Sequence, residues 1–354
     1  MPDGPFRNHG RTRWLVVFAG VLMVAIAIRL YPHPALSQGL PQSIAVYDSQ
    51  NRLLRLALAD DQRYRLWIPL QDIAPSLVQG TLLHEDAWFY LHPGANPISL
   101  LRAAWSTYAG GGARIGGSTI TMQLARLRWR LDTRSPRGKL VQILRALQLE
   151  ACYSKRDILE AYLNVAPYGG NIEGVGAASL IYFRKPASAL TLPEALTLAV
   201  LPQAPTRRGR LQAMESMLGT AALTPTPLPR AGEGPKRDAG YAGAGLSAAR
   251  ARLYARWREK HPPPDGQDLA AQDALMALPL SLRPPRTLPF AAPHFVDRVL
   301  GERSLHPGEG SRLTTTLDLR LQRLLEERVH RHLERVRRLG LRNASAMLID
   351  TRDM

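Results

Sequence analysis

Cysteine is almost missing from this chain of 354 residues: Cys152 is the single one, so no intrachain disulfide can form, and cysteine usage says nothing about compartment. Cys152 sits among Leu149, Ala151 and Tyr153 with no His close in sequence, which reads as a buried apolar residue and not a catalytic thiol. Metal-binding spacings are also lacking. There is no H-E-x-x-H, no Cys pair and no carboxylate spacing of a metal site, so no metal ligands are assigned. Aromatic residues make up 6% and no nucleic-acid recognition motif is present, which excludes DNA and RNA as partners. No internal repeat occurs. Acidic residues are scarce, 29 against 46 Lys plus Arg, for a net charge of +17. That excess favours anionic partners such as phosphorylated substrates or anionic lipid, although an Arg-rich coding bias gives the same composition. At 45% hydrophobic the chain can bury a core.

No long apolar run is present beyond the N-terminus. There, Arg7, Arg11 and Arg13 precede WLVVFAGVLMVAIAI, an uncharged stretch from Trp14 to Ile28. It falls short of the ~20 residues that span a bilayer comfortably. Arg29 can snorkel and extend it through Leu30 and Tyr31. The basic flank places the N-terminus in the cytoplasm and the rest outside. Ala25-Ile26-Ala27 resembles a signal cleavage site but lies inside the apolar run, which favours an uncleaved anchor.

The expected organisation is a cytoplasmic tail (1–13), a transmembrane anchor (14–31) and a spacer with short strands (32–72). The strands are SIAVYD, RLLRLAL and RYRLWI. A mostly helical domain follows (73–210), then a Gly/Pro/Ala-rich insertion (211–246), a Pro-containing linker (247–312) and a C-terminal piece (313–354). Helices are expected from near Pro75 to Glu85, from Ser118 or Thr119, over Gly138 to Cys152, from Ser154, after Gly169 and Gly170, from Thr191 and from Ser247. Ser154 with Asp157, and Thr191 with Glu194, have capping-box spacing. The last segment, 344–353, alternates like a strand.

Two segments carry the chemistry. HEDAWFYLHPG (84–94) holds adjacent carboxylates, Glu85 and Asp86, among aromatic residues. Alone, Glu85 fits either a solvated helix end or a carboxylate whose apolar surroundings fit it for acid–base work. GGSTITMQLARL (116–127) puts Thr119, Gln123 and Arg126 on one helical face and Ile120, Leu124 and Leu127 on another. Its N-terminus, with basic residues behind it, suits an anionic group. On the following helix Lys139, Gln142 and Arg145 share a face opposite the leucines, which by default is solvated.

In order, HEDAWFYLHPG, GGSTITMQLARL, RGKLVQILRALQLEACYSK, RDILEAYLN and RKPASALTLPEALTLAVLPQAP resemble the successive motifs of the peptidoglycan glycosyltransferases. These form glycosyltransferase family 51, the membrane-anchored domain of class A penicillin-binding proteins. The resemblance covers roughly Ile44 to Arg208, and RALQLE and VAPYGGNIEGV are closest to the 1C subgroup. It implies a mainly α fold. A lysozyme-like lobe would follow an N-terminal transmembrane helix and a few short strands, and a partial α+β extension would begin a truncated transpeptidase region.

The resemblance also implies polymerisation of lipid II with release of undecaprenyl pyrophosphate, by a single-pass inner-membrane protein facing the periplasm. Glu85 matches the family's general base. Asp86, Phe89 and His92 match positions around it, and Ser118, Thr119, Gln123 and Arg126 match the motif lining the donor cleft. Lys139 matches a basic residue near the pyrophosphate. Arg126 stands where the family usually has Lys. Gln142 stands where many members carry a second Glu, and an amide cannot carry that charge. No cofactor is required, and the pyrophosphate leaves room for a divalent cation. Implied partners are lipid II, the nascent glycan strand, the inner membrane and wall-synthesis proteins. The S-x-x-K and K-T-G of a transpeptidase do not occur, so peptide cross-linking and acylation by penicillin are not expected of this chain. The rival readings are a non-catalytic module that binds lipid II or recruits wall-synthesis proteins, and a lytic hydrolase. The anchor and the phosphate-facing basic residues argue against the hydrolase.

Overall fold

The computed structural model describes residues 19–20, 23, 26–98, 117–203, 240–262, 267–278, 280, 282–305 and 310–349. The chain divides into two compact groups, residues 1–40 with 67–283, and residues 41–66 with 284–354. Strands β1 (Ala45–Tyr47), β2 (Leu53–Leu56) and the two-residue β3 (Tyr64–Arg65) come first, where the spacer was expected to hold strands.

The larger group is mainly helical. α1 (Pro75–Glu85) starts with proline at its first position, where the missing N–H costs nothing. α2 (Ile120–Trp129) packs between α3 (Pro136–Cys152) and α4 (Lys155–Val165). A short antiparallel pair, β4 (Pro167–Gly169) and β5 (Ile172–Glu173), precedes α5 (Val175–Phe183). α6 (Leu192–Val200) packs on α1, and Gly80 permits this: a Cβ there would stand 2.9 Å from Leu196 Cδ2. α7 (Gly240–Lys260) lies against both, and α8 (Gln267–Ala277) follows.

Both expected capping boxes form. Ser154 and Asp157 close the start of α4, and Thr191 and Glu194 close that of α6. The burial of α4 follows its periodicity: Ile158, Leu159, Tyr162 and Leu163 are all inside. Trp67 Nε1 and the Leu70 amide both donate to the Glu160 carboxylate on this helix, at 3.0 and 2.9 Å.

The second group joins residues 41–66 to 284–354. α9 (Pro293–Leu305), β6 (Arg312–Thr314) and α10 (Leu319–Val336) complete it. β1 pairs antiparallel with β2 and parallel with β6, so Ala45 faces Arg312. Val46, Leu54, Val296 and Leu319 form its core. Arg52 bonds Asp48 at 2.7 Å and Asp318 at 3.3 Å, tying the β1–β2 turn to the start of α10.

Four expectations need correction. The solvated face of α3 is inverted: Gln142, Ala146 and Leu149 are buried, while Leu140, Val141, Leu144 and Leu147 are exposed. Polar Gln142 can go inside because both ends of its amide find partners. The insertion does not extend to 246, because α7 is already helical from Gly240. Gly240, Gly243 and Gly245 disfavour a helix taken alone, but extending an existing helix avoids the cost of nucleation. The stretch 247–312 is not only linker, since it contains helices α8 and α9. Residues 344–349 are exposed and form no strand; alternation yields a strand only where another edge takes its backbone bonds.

The insertion's residues up to 239, the tail, most of the expected anchor and the final 350–354 lie outside the described residues. Residues 26–30 are helical, and no described helix is long and apolar enough to cross a membrane.

Two substitutions separate a cap from a steric constraint. Ser154→Ala should cost about 1 kcal/mol through loss of the cap. Gly174→Ala should cost more, about 2 kcal/mol or above. Gly174 has φ +78°, and its Cβ would stand 2.4 Å from the Asn164 carbonyl oxygen. Urea midpoints measure both, and equal losses would contradict the steric account.

Candidate active site

α1 delivers Glu85 as its last residue and ends on Asp86. Glu85 lines a cavity of about 230 Å³ together with Asp86, Trp88, Asn96, Ser118 and Arg256. Gln123, one turn into α2, donates its amide to Glu85 Oε2 at 2.8 Å. Its carbonyl end accepts from the Tyr162 hydroxyl at 3.3 Å. This chain of bonds fixes the amide's orientation and, through it, the carboxylate. Burial and then the nearby Glu85 charge push the Tyr162 hydroxyl well above its usual range, so it remains a donor. Tyr168 is raised for the same two reasons in the same order.

Asp86 borders the cavity, but its carboxylate is bonded to other partners. It is buried, and His92 Nε2 lies 3.0 Å from both its oxygens. The carboxylate can only accept, so Nε2 carries the proton. Asp86 Oδ2 also accepts from the Ile120 amide at 3.1 Å, while Thr119 caps the Met122 amide at 3.1 Å. The start of α2, read from sequence as a seat for a substrate anion, is therefore occupied by the protein's own carboxylate and hydroxyl. The negative end suits the helix dipole.

The rest of HEDAWFYLHPG is fastened from behind. Thr119 Oγ1 donates to the Gly94 carbonyl. Gly94 has φ +93°, and a Cβ there would stand 2.9 Å from the Ala146 carbonyl oxygen on α3. Lys155 Nζ donates to the His92 carbonyl at 2.7 Å and to Glu150 at 2.8 Å, and sits 4.4 Å above the Phe89 ring. Glu150 also accepts from Thr121 at 2.6 Å. Phe89 and His92 are buried in this assembly.

A basic group adjoins the cavity through Ser118. Lys139 Nζ donates to Ser118 Oγ at 2.7 Å and to Gln142 Oε1 at 2.9 Å. Gln142 Nε2 in turn donates to the Met122 carbonyl at 2.6 Å. Burial, and then the positive charge of Arg126, lower the Lys139 pKa below the usual lysine range. Arg126 is exposed. Among the described residues no three His, Cys, Asp or Glu side chains gather as a cation site. The position facing Lys139 offers an amide, a poor divalent-cation ligand set on its own, and no step below is routed through a metal.

Of the residues singled out from sequence, Glu85, Ser118, Thr119 and Asp86 meet at the cavity. Gln123, Lys139 and Gln142 reach it through one or two hydrogen bonds. Phe89 and His92 stand behind it. Tyr162 is not among the residues singled out from sequence; the available signal is its hydroxyl, which must find a partner once buried. Arg256 carried no signal at all, because nothing local links α7 to α1.

The transglycosylase family model matches residues 50–223. Penicillin-binding protein 1C of Escherichia coli (strain K12) is 35% identical over 320 residues, which is 89% of this chain and 36% of that protein. Penicillin-binding protein 2D of Bacillus subtilis (strain 168) is 31% identical over 324 residues, 88% of this chain and 41% of its own length. Penicillin-binding protein 1A of Aquifex aeolicus (strain VF5) is 34% identical over 196 residues, 54% of this chain and 27% of its own. The chain thus spans less than half the length of these relatives. Motif order, helical architecture and family match agree, and the chain belongs to the transglycosylase family, the glycosyltransferase domain of the class A penicillin-binding proteins.

Proposed function

We propose that this chain is a peptidoglycan glycosyltransferase that polymerises lipid II into glycan strands. The observation that carries the reading is the single oriented carboxylate, Glu85, in a cavity whose Ser118 wall is bonded to Lys139. The 4-hydroxyl of the acceptor sugar attacks the anomeric carbon of the growing glycan. The new C–O bond forms as the bond to the undecaprenyl pyrophosphate oxygen breaks, with inversion. Glu85 takes the hydroxyl proton, and the bond electrons leave on the pyrophosphate. Lys139 and Arg126 supply the charge that stabilises that group, since the amides at the start of α2 are already occupied. Ser118 and Thr119 border the sugar, and Gln123 aims the base. Asp86, Phe89 and His92 hold Glu85 in place from behind. Gln142 keeps Lys139 directed at Ser118.

The protein would work at the outer face of the inner membrane, held by the 14–31 segment, with lipid II and the nascent strand as its partners. The arginines at 7, 11 and 13 support this orientation.

Three measurements test these roles. Glu85→Gln should lower the polymerisation rate on labelled lipid II by ~10²-fold or more while leaving lipid II binding within a few fold. Binding without polymer in the wild type would overturn the enzyme reading in favour of a lipid II-binding module.

Lys139 must be charged to hold the pyrophosphate, and its pKa is lowered, so affinity should fall on the alkaline side earlier than for an ordinary lysine. Lys139→Arg should abolish that alkaline limb. Arg126→Ala should weaken binding yet shift the limb upward, because it removes a repulsive charge. A limb unmoved in both variants would remove Lys139 from the role.

Gln142→Glu should lower stability by about 1–2 kcal/mol, despite a new charge opposite Lys139. A carboxylate cannot donate to the Met122 carbonyl, which keeps its helical bond but would then face a second acceptor where Gln142 Nε2 now donates. A thermal midpoint equal to or above wild type would refute this.

A further inference from the structure

Arg256 lies beyond residue 223, outside the stretch matched by the family, yet it lines the same cavity as Glu85. Its place follows from the packing of α7. Leu246, Ala249 and Leu253 are buried at helical spacing. Leu253 packs where Gly80 has no side chain, 3.9 Å from the position of an added Cβ. One turn further along α7 brings Arg256 level with Leu83 and His84, at the end of α1 that carries Glu85.

Three other polar groups of this helix are committed elsewhere. Tyr254 donates to Asp273 at 2.7 Å, Arg258 pairs with Asp273 at 3.3 Å, and Arg250 donates to the Met276 carbonyl at 3.3 Å. Arg256 alone of these reaches the cavity, and it makes no hydrogen bond or ion pair among the described residues. An exposed guanidinium with no hydrogen-bonded protein anion among the described residues, at the wall of a substrate cavity, is a ready fork for a carboxylate or phosphate. It is a different cation from Lys139, which meets the cavity at Ser118.

We propose that Arg256 is a substrate-binding residue that grips an anionic group of the incoming acceptor, extending the site with a helix from beyond the family match. The proposal rests on the lipid II reading above. In lipid II the anionic group is either the pyrophosphate or a stem-peptide carboxylate. The bond-making step does not involve Arg256, so its contribution falls on binding.

The experiment uses the full chain in detergent micelles, with polymerisation kinetics and direct binding of labelled lipid II. Arg256→Ala should raise KM and Kd by about 5–10-fold and leave kcat within two-fold, whereas Glu85→Gln acts on kcat. Arg256→Lys, which keeps the charge but not the fork, should recover part of the affinity, and Arg252→Ala, which removes the same charge from the same helix away from the cavity, should change neither constant. Lipid II with amidated stem-peptide carboxylates identifies the group gripped. If the peptide is read, the Arg256→Ala effect disappears with that substrate; if the pyrophosphate is read, it persists. Unchanged KM and Kd in a polymerising Arg256→Ala variant, or a lysine variant no better than alanine, would overturn the proposal. A wild type that binds lipid II without polymerising would sink the enzyme reading, and the Kd contrast would still decide the role of Arg256.

Discussion

The buried Asp86 carboxylate fixes more of this site than any other group. It accepts from the His92 ring and from the first amide of α2, and it is the residue on which α1 ends. Two helices and one loop therefore meet at a single pair of oxygens. Glu85 is its covalent neighbour, so the direction of Glu85 is set by what Asp86 is bonded to. Two adjacent carboxylates acquire different duties from their partners: one is spent on the fold, the other remains at the cavity. Lys155 reinforces the division from below, binding the His92 carbonyl and covering the Phe89 ring. A buried anion with a ring N–H and a backbone amide as donors is satisfied and positioned at once, and losing either donor would leave charge in a low-dielectric interior.

Gln142 plays a comparable part on the other wall. An amide both donates and accepts, and here both functions are used, one toward the Met122 carbonyl and one toward Lys139. A carboxylate at the same place offers acceptors only. The site is thus built for a neutral group at this position, and the cost of burying it is met by two good bonds. The consequence reaches Lys139. With an amide as neighbour and Arg126 close by, it has no ion pair among the described residues. That positive charge is left for the leaving pyrophosphate in the proposed reaction.

What the sequence made legible is what is local. α1 closes at Glu85 and α2 opens at Thr119 as expected, and both capping boxes form, because each depends on groups within four residues. The face of α3 could not be read this way. Its leucines recur at the spacing of a core face, yet the helix turns Gln142 inward because Met122, twenty residues earlier, supplies the partner. The β1–β6 pairing joins Ala45 to Arg312, and no local pattern announces a bond across such a separation. The same holds for the Tyr162–Gln123–Glu85 relay, whose members sit on three different helices. Each of its links is ordinary in sequence and acquires meaning only when the helices pack.

The placement of Arg256 is an extreme case of this dependence on packing. Between the end of the strongly patterned region and α7 the chain runs through a Gly/Pro/Ala-rich stretch with no hydrophobic period. Such a stretch cannot transmit positional information; the helix beyond it must find its place through its own surface. Leu246, Ala249 and Leu253 supply that surface, and the missing side chain at Gly80 supplies the groove. Docking precision at Gly80 therefore controls where the guanidinium lies relative to Glu85, five residues along α1. A larger residue at Gly80 would first collide with Leu196 at 2.9 Å, and then displace α7 and its arginine together. Core packing and cavity charge are in this way one constraint, because the residue that lets the helices approach is also the residue that sets the cavity's last cation.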